Sequence, residues 1–157
     1  MRELRGDLEG RGRRFAIVAA TFNEVIVGKL VEGASAAFRR HHVAEDDIVL
    51  IWVPGAFELP LVATRLAASG LYDAVVCLGA VVRGETAHFE FVATEAARGI
   101  AEAARSTGVP VLFGVLTTET LDQGLDRAGG RHGNKGWDAA VAAMQMAGVL
   151  DQVPEKD

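Results

Sequence analysis

Apolar residues in the first half of the chain follow two patterns in turn, and these predict alternating strands and helices. Phe15–Ala20 and Ile48–Val53 are apolar throughout, as in short strands that are buried on both faces. Between them, Glu24–Arg40 places apolar residues three and four positions apart, which predicts an amphipathic helix. A second helix is predicted over residues 56–68, with Pro60 in the first turn, where proline is tolerated.

The second half of the chain continues the alternation. Thr117 and Thr118 are residue types that cap helix N-termini, and they precede a segment of helical character. Glycines at 129, 130, 133 and 136 then interrupt the chain before its last apolar stripe. The elements predicted in this half are strands at Ala74–Val82 and 109–116 and helices at 89–106, 119–128 and 137–149.

Two glycines stand inside the first predicted helix. Gly28 and Gly33 each weaken a helix by about 1 kcal/mol relative to alanine. We therefore expect both where a neighbouring element packs closely against the helix.

Strands that are apolar throughout and alternate with helices predict a parallel sheet covered by helices on both faces. Each crossover is expected to be right-handed, so the predicted fold is a single doubly wound α/β/α sandwich around four strands. Residues 14–150 would form this domain. An N-terminal arm at 1–13 would precede it, and a polar tail at 151–157 would follow it.

The composition excludes several classes of function. The 157 residues carry a net charge of −5 without a basic stripe interleaved with aromatic residues, so nucleic acid is not expected as a partner. The longest apolar runs have about eight residues, too few to span a membrane. No signal-peptide pattern is present, so we expect a cytoplasmic protein. Cys77 is the only cysteine, cannot form an internal disulfide and is expected in the core.

The loop after the third predicted strand is the strongest candidate for chemistry. Arg83, Gly84, Glu85 and Thr86 separate a buried strand from a helix, and His88 stands at the helix start. Unpaired N–H groups and the positive end of the helix dipole attract anions there. Histidine exchanges protons readily near neutral pH. The loop therefore predicts a site that holds an anion and moves protons, and the alternative is a surface loop with a solvated histidine.

Other candidate residues follow the remaining strands. In parallel sheets ligands bind beyond the carboxyl ends of the strands, where Phe22 and residues 55–58 are expected. Phe113 in the fourth strand and Arg127 after the next helix complete the set, so three turns and a basic residue are expected in one crevice. Phe22 would stack on a planar ring if exposed, or cap the sheet as a core residue if buried.

Several common signatures are missing from the sequence. No G-x-G-x-x-G follows the first strand, and G-N-K-G at 133–136 lacks the Lys-Ser/Thr pair of a phosphate-binding loop. His88-x-Glu90 matches half of a zinc deaminase signature, but a single cysteine cannot supply the paired cysteines. A classical dinucleotide site, a phosphate-binding loop and a zinc deaminase site are therefore disfavoured.

Four motifs together resemble the lumazine synthases. They are V-P-G-A-F-E-L-P at 53–60, G-A-V-V-R-G-E-T-A-H-F-E at 79–90, F-G-V-L-T-T-E at 113–119 and R-A-G-G-R-H-G-N-K-G at 127–136. The resemblance runs in order from about residue 15 to 150. It implies a flavodoxin-like fold and the penultimate step of riboflavin biosynthesis. In that step 5-amino-6-(D-ribitylamino)uracil and 3,4-dihydroxy-2-butanone 4-phosphate give 6,7-dimethyl-8-ribityllumazine, phosphate and water without a cofactor.

The resemblance also implies roles for individual residues. His88 would transfer protons, and Phe113 would reach a neighbouring subunit's site. The residues implied to bind the pyrimidine and the ribityl chain are Phe22, Ala56, Phe57, Glu58, Ala80, Val81, Val82 and Phe113. Those implied at the phosphate are Glu85, Thr86 and Arg127, and Lys135 is a further candidate. Because the Glu85 carboxylate would repel a phosphate, we expect its side chain to point to solvent and only its amide to serve.

Assembly is implied as well. The resemblance suggests a homo-pentamer that closes into an icosahedral 60-mer, with riboflavin synthase as a candidate partner. The alternative is a free pentamer with a disordered N-terminus. The N-terminal arm would add a strand to the sheet of a neighbouring subunit. Alternative functions are a non-catalytic flavin or lumazine carrier, a purely structural shell protein and a riboflavin synthase of similar fold. Phe22, Glu58, His88 and Arg127 together favour the enzyme.

Overall fold

A computed structural model describes residues 1–155, and a parallel four-stranded sheet lies at its centre. The strand order is β2-β1-β3-β4, which confirms the predicted α/β sandwich. The strands are β1 (Phe15–Ala20), β2 (Ile48–Val53), β3 (Ala74–Val82), β4 (Val111–Thr118), β5 (Ala128–Gly130) and β6 (Gly133–Asn134). The helices are α1 (Glu24–Arg40), α2 (Leu59–Ala68), α3 (His88–Thr107), α4 (Leu121–Asp126) and α5 (Lys135–Leu150).

The two central strands are buried on both faces and divide the core into two layers. Phe15 and Ile17 of β1 point into a cluster with α1 and α5. The alternate residues of the strand, Ala16 and Val18, point to the opposite face, into a second cluster with α2 and α3. This alternation follows from the two-residue period of a strand and explains why β1 is apolar at every position.

Several predicted boundaries are wrong by a few residues. The fourth strand begins at Val111, two residues later than expected, because α3 ends at Gly108 in a left-handed conformation and Pro110 has no N–H to donate. Residues 56–58 form a 3₁₀ turn rather than the start of α2. The long and the last helix each extend slightly beyond the predicted ends.

The predicted cap at Thr117 and Thr118 is also wrong. Both residues pair in β4, and Thr118 is buried with its hydroxyl donating to the Thr120 carbonyl at 2.8 Å. Thr120 is the N-cap of α4 and accepts from the Gln123 N–H at 3.1 Å. The helix therefore covers six residues instead of ten, and β5 and β6 form a small hairpin after it.

The N-terminal arm lies against its own chain and contains no strand in this single subunit. Gly10 N–H donates to the His41 carbonyl at 2.8 Å, and the Gln152 amide donates to the Arg5 carbonyl at 2.6 Å. Leu8 is half-buried against the α1 and α5 cluster. Pairing of the arm with a neighbouring sheet stays a prediction.

Other expectations concern the tail, the membrane and the cysteine. Residues 151–155 are exposed after α5, and residues 156 and 157 of the expected tail lie outside the described part of the chain. None of the described helices has the length and apolar character needed to cross a bilayer. Cys77 is fully buried in β3, as expected.

Candidate functional site

A cavity of about 700 Å³ opens at the carboxyl ends of β1, β2 and β3. It lies where ligands bind in sheets of this kind, because the strand ends and the helix starts leave backbone groups unpaired there. Nine of the residues proposed from sequence line it: Phe22, Ala56, Phe57, Glu58, Ala80, Val81, Val82, Thr86 and His88.

The turn after β1 presents an aromatic face to this cavity. Phe22 is 73% exposed, so the alternative of a core phenylalanine does not hold in the single subunit. Its N–H donates to the Pro54 carbonyl at 3.0 Å, which ties this turn to the one after β2. Asn23 follows in the left-handed region with φ of 61°, and its amide donates to the Ala80 carbonyl at 2.8 Å. An exposed ring is thus held beside the end of β3.

Asn23 was not singled out from the sequence. The available signal was its residue type, since asparagine tolerates left-handed backbone better than other residues with a Cβ. Two aromatic rings of α3 also line the cavity, the half-buried Phe89 and the exposed Phe91. From the sequence, Phe89 was assigned only to the apolar stripe of the helix, and Phe91 was overlooked.

The turn after β2 gives the cavity a second wall. Gly55 is extended, and the 3₁₀ turn that follows buries Ala56 but leaves Phe57 57% exposed. Glu58 is exposed at the cavity, and its N–H donates to the Gly55 carbonyl at 3.2 Å. An apolar ring and a carboxylate therefore stand next to each other, a pair suited to a ligand with a planar part and hydroxyl groups.

The loop after β3 forms the polar rim. Gly84, Thr86 and His88 line the cavity, whereas the exposed Glu85 does not, as expected for a carboxylate directed to solvent. His88 is the first residue of α3, and its N–H faces the Thr86 hydroxyl at 3.4 Å. Because α3 has 20 residues, its N-terminus supplies unpaired N–H groups and a dipole that favour an anion.

Three other proposed residues lie elsewhere. Phe113, Arg127 and Lys135 line a groove of about 440 Å³ between β4 and α5. Arg127 caps the end of α4, and its guanidinium donates to the Gln123 carbonyl at 3.0 Å. The expectation that Arg127 meets the three turns in one crevice is therefore wrong for one subunit. Arg127 follows β4, at the opposite edge of the sheet from β2, whereas the cavity lies at the ends of β2, β1 and β3.

The two cavities differ in charge. Among the described residues that line the first cavity, none is a lysine or an arginine, although the N-terminus of α3 at its rim favours an anion. The groove carries Arg127, Lys135 and Asp138, with the Lys135 ammonium 3.6 Å from the Asp138 carboxylate. Within residues 1–155 no three His, Cys, Asp or Glu side chains are grouped as metal ligands would be.

A comparison with protein families agrees with the motifs. Residues 12–151 match the family model described as 6,7-dimethyl-8-ribityllumazine synthase. The match covers most of the chain and includes both cavities. The chain belongs to this family and is a transferase, a lumazine synthase of riboflavin biosynthesis.

Proposed function

We propose that this lumazine synthase condenses 5-amino-6-(D-ribitylamino)uracil with 3,4-dihydroxy-2-butanone 4-phosphate to give 6,7-dimethyl-8-ribityllumazine, phosphate and water. The observation that carries the proposal is the convergence of Phe22, Glu58 and His88 on one cavity at the carboxyl edge of the sheet. These residues come from three separate turns, and together they match the three parts of the reaction: a ring to stack, a hydroxylated chain to hold and protons to move.

The ribitylaminouracil would occupy the inner part of the cavity. Its planar ring would stack on Phe22, while backbone groups of residues 80–82 bind the ring edge. Glu58 would accept hydrogen bonds from ribityl hydroxyls, with Ala56 and Phe57 lining the chain. The pyrimidine would thus be fixed before the second substrate arrives, which supplies part of the rate enhancement as effective molarity.

The phosphorylated ketone would bind at the rim. Its phosphate would accept hydrogen bonds from the amides of Glu85 and Thr86 near the start of α3. The substrate amine then attacks the ketone carbon and the adduct loses a first water. Phosphate is eliminated next, and the ribityl-bearing nitrogen closes the ring on the second carbonyl with loss of a second water. Each step moves a proton, and His88 stands where it can take and return protons during these transfers.

The cation for the phosphate would come from a neighbouring subunit. Among residues 1–155, no lysine or arginine lines the first cavity, whose rim at the start of α3 favours an anion, and the groove has Arg127 and Lys135 beside a half-exposed Phe113. Packing the groove of one subunit against the cavity of the next would complete both. A site shared in this way requires a closed ring of subunits, and we propose a pentamer that assembles further into a 60-mer.

Mixing the purified protein with both substrates and following the absorbance of the lumazine tests the reaction. A carrier would bind the lumazine but form none. Mixed assemblies test the shared site: His88→Ala and Arg127→Ala subunits are each expected to be weak alone. Refolded together in equal amounts, they would place wild-type groups on both sides of about a quarter of the sites. Recovery of about that share of wild-type activity supports the shared site, and no recovery contradicts it.

A further inference from the structure

Arg83 is the residue directly after β3, and three groups surround its guanidinium, two from α3 and one from the residue directly after β4. Its Nε lies 2.8 Å from one carboxylate oxygen of Glu119 and 3.1 Å from the other. Its Nη1 lies 3.6 Å from a carboxylate oxygen of Glu90, and its Cζ lies 4.6 Å from the centre of the Phe89 ring. Its own N–H donates to the Thr118 carbonyl at 2.9 Å, so its backbone is fixed by the sheet.

These contacts join the first turn of α3 to the end of β4. Phe89 and Glu90 are the second and third residues of that helix, directly after His88, and Glu119 is the first residue after β4. A planar guanidinium can bind carboxylates along its edge and stack an aromatic ring on its face at the same time, which an ammonium cannot do. Arg83 therefore bridges the end of the sheet and the first turn of the helix that carries His88.

Apart from Arg83, the first turn of α3 is held by the half-buried Phe89 ring, which packs against the cluster of α2 and α3, and by a His88 N–H contact of 3.4 Å to the Thr86 hydroxyl. Residues 83–88 are all exposed, and within residues 1–155 the His88 side chain makes no hydrogen bond. The Ala87 cap position has no side-chain hydrogen bond to the helix N-terminus either. Helix ends without such support fray, and a displaced proton-transfer group loses much of its effect.

We infer that Arg83 is a positioning residue for His88. This inference depends on the proposed function, since it assigns Arg83 a role in placing the proton-transfer group of that reaction. Arg83 does not line the cavity, and its guanidinium is already occupied by two carboxylates and a ring. It therefore acts through the helix start and is not a ligand of the phosphate.

Kinetics of Arg83 variants in the assembled enzyme test the inference. Arg83→Gln removes both ion pairs and the stacked cation, and we expect kcat to fall about 5- to 30-fold with KM for either substrate changed less than about twofold. Arg83→Lys keeps the positive charge but loses the planar guanidinium, so its kcat should lie between that of wild type and that of Arg83→Gln. Arg98→Gln is the matched control. Arg98 is on the same helix, and within the described part of the chain its one ion pair is with Glu95, at 3.7 Å, so no loss is expected.

The decisive comparison uses the His88→Ala background. A residue that acts through His88 has nothing to position there, so adding Arg83→Gln should change kcat by less than about twofold. An equal fall in both backgrounds would overturn the inference, as would an unchanged kcat in Arg83→Gln alone. A proportional rise in KM for the phosphorylated ketone would also overturn it, since Arg83 would then bind the phosphate.

Two further measurements cover other failures. If Arg83→Gln does not fold, Glu119→Gln removes one partner and should lower kcat about two- to fivefold, and no change would overturn the inference. If wild type forms no lumazine, the proposed function fails instead. Hydrogen exchange of the peptide that spans the start of α3 then decides the anchoring. Faster exchange in Arg83→Gln than in Arg98→Gln supports it, and equal exchange overturns it.

Discussion

The side-chain amide of Asn134 occupies the space where a Cβ on Gly33 would stand. Asn134 is the N-cap of α5 and accepts from the Gly136 and Trp137 N–H groups at 2.8 and 3.1 Å. The same amide donates to the Lys29 carbonyl in α1 at 3.0 Å. One residue thus caps one helix and binds another, and it can do so only because Gly33 has no side chain.

Replacing Gly33 with alanine should therefore destabilise the protein. The added methyl would displace the Asn134 amide, with an expected loss of about 1–3 kcal/mol in the free energy of unfolding. Gly28→Ala is the control in the same helix, because among residues 1–155 no atom beyond the adjacent residues and backbone of α1 lies within 4 Å of its Cβ position. It should stabilise by up to about 1 kcal/mol. Urea unfolding measures both. Equal effects would contradict the packing argument, and a loss for Gly28→Ala alone would place it at a subunit interface.

The strands and long helices could be predicted because their signals are local. The runs at β1, β2 and β3 are apolar to their ends, and turn residues bound them, so their limits agree with the structure. Close packing at Gly33 was predicted correctly, whereas the same expectation for Gly28 is wrong in the single subunit. A glycine in a helix allows another element to approach the helix closely at that position. It does not indicate whether an element actually packs there.

The remaining elements depend on tertiary contacts. Residue type could not identify Thr120 as the helix cap, because Thr117 and Thr118 are threonines too. Only the pairing of Thr117 and Thr118 in β4 shows that the helix begins after them. The hairpin of β5 and β6 is short and rich in glycine, so it has no apolar pattern. Arg127 was predicted in the right family motif, but its distance from the first cavity follows from strand order, which sequence order does not give.

His88→Ala tests the proton-transfer role. We expect a folded, assembled protein whose kcat is lower by about 10- to 1,000-fold, at the low end because the substrate amine is already nucleophilic. His42→Asn is a suitable control, since His42 lies beyond the end of α1 in left-handed backbone that asparagine tolerates. Steady-state lumazine formation measures both. A well-folded His88→Ala with wild-type kcat would remove His88 from the mechanism.

Arg127→Ala should act on one substrate only. Loss of a charge-assisted phosphate contact should weaken binding of the phosphorylated butanone by about 1.5–3 kcal/mol. Affinity for the ribitylaminouracil should hardly change, because that substrate carries no phosphate. Binding of each substrate by calorimetry separates the two effects. Equal weakening of both would indicate a structural role for Arg127, through its bond to the Gln123 carbonyl.

From the buried thiol of Cys77 we predict that the free energy of unfolding falls at high pH. Burial raises the pKa of its thiol from 9.0 to about 12, so the folded state holds a proton that the unfolded state releases. The contribution is fully present below pH 9 and is lost as the pH rises from about 9 toward 12, by up to about 1.4 kcal/mol per unit. Unfolding of wild type and Cys77→Ala measured across this range should diverge in slope. Parallel curves would contradict the prediction, as would rapid alkylation of the native thiol.

The last prediction concerns assembly, for which β2 offers a test. It is an edge strand, and its side chains Leu50 and Trp52 point to the same face and are 41% and 40% exposed. Apolar side chains on an open edge promote association with another chain. We expect light scattering of wild type to show a 60-mer of about 1 MDa built from pentamers of about 83 kDa. Trp52→Glu should shift the population to smaller species, because a charge cannot be buried there without a partner.

Leu71→Glu, exposed in the loop before β3, is the control and should keep the wild-type size. A uniform wild-type population at pentamer mass would exclude the shell, and a stable active monomer would exclude the shared site.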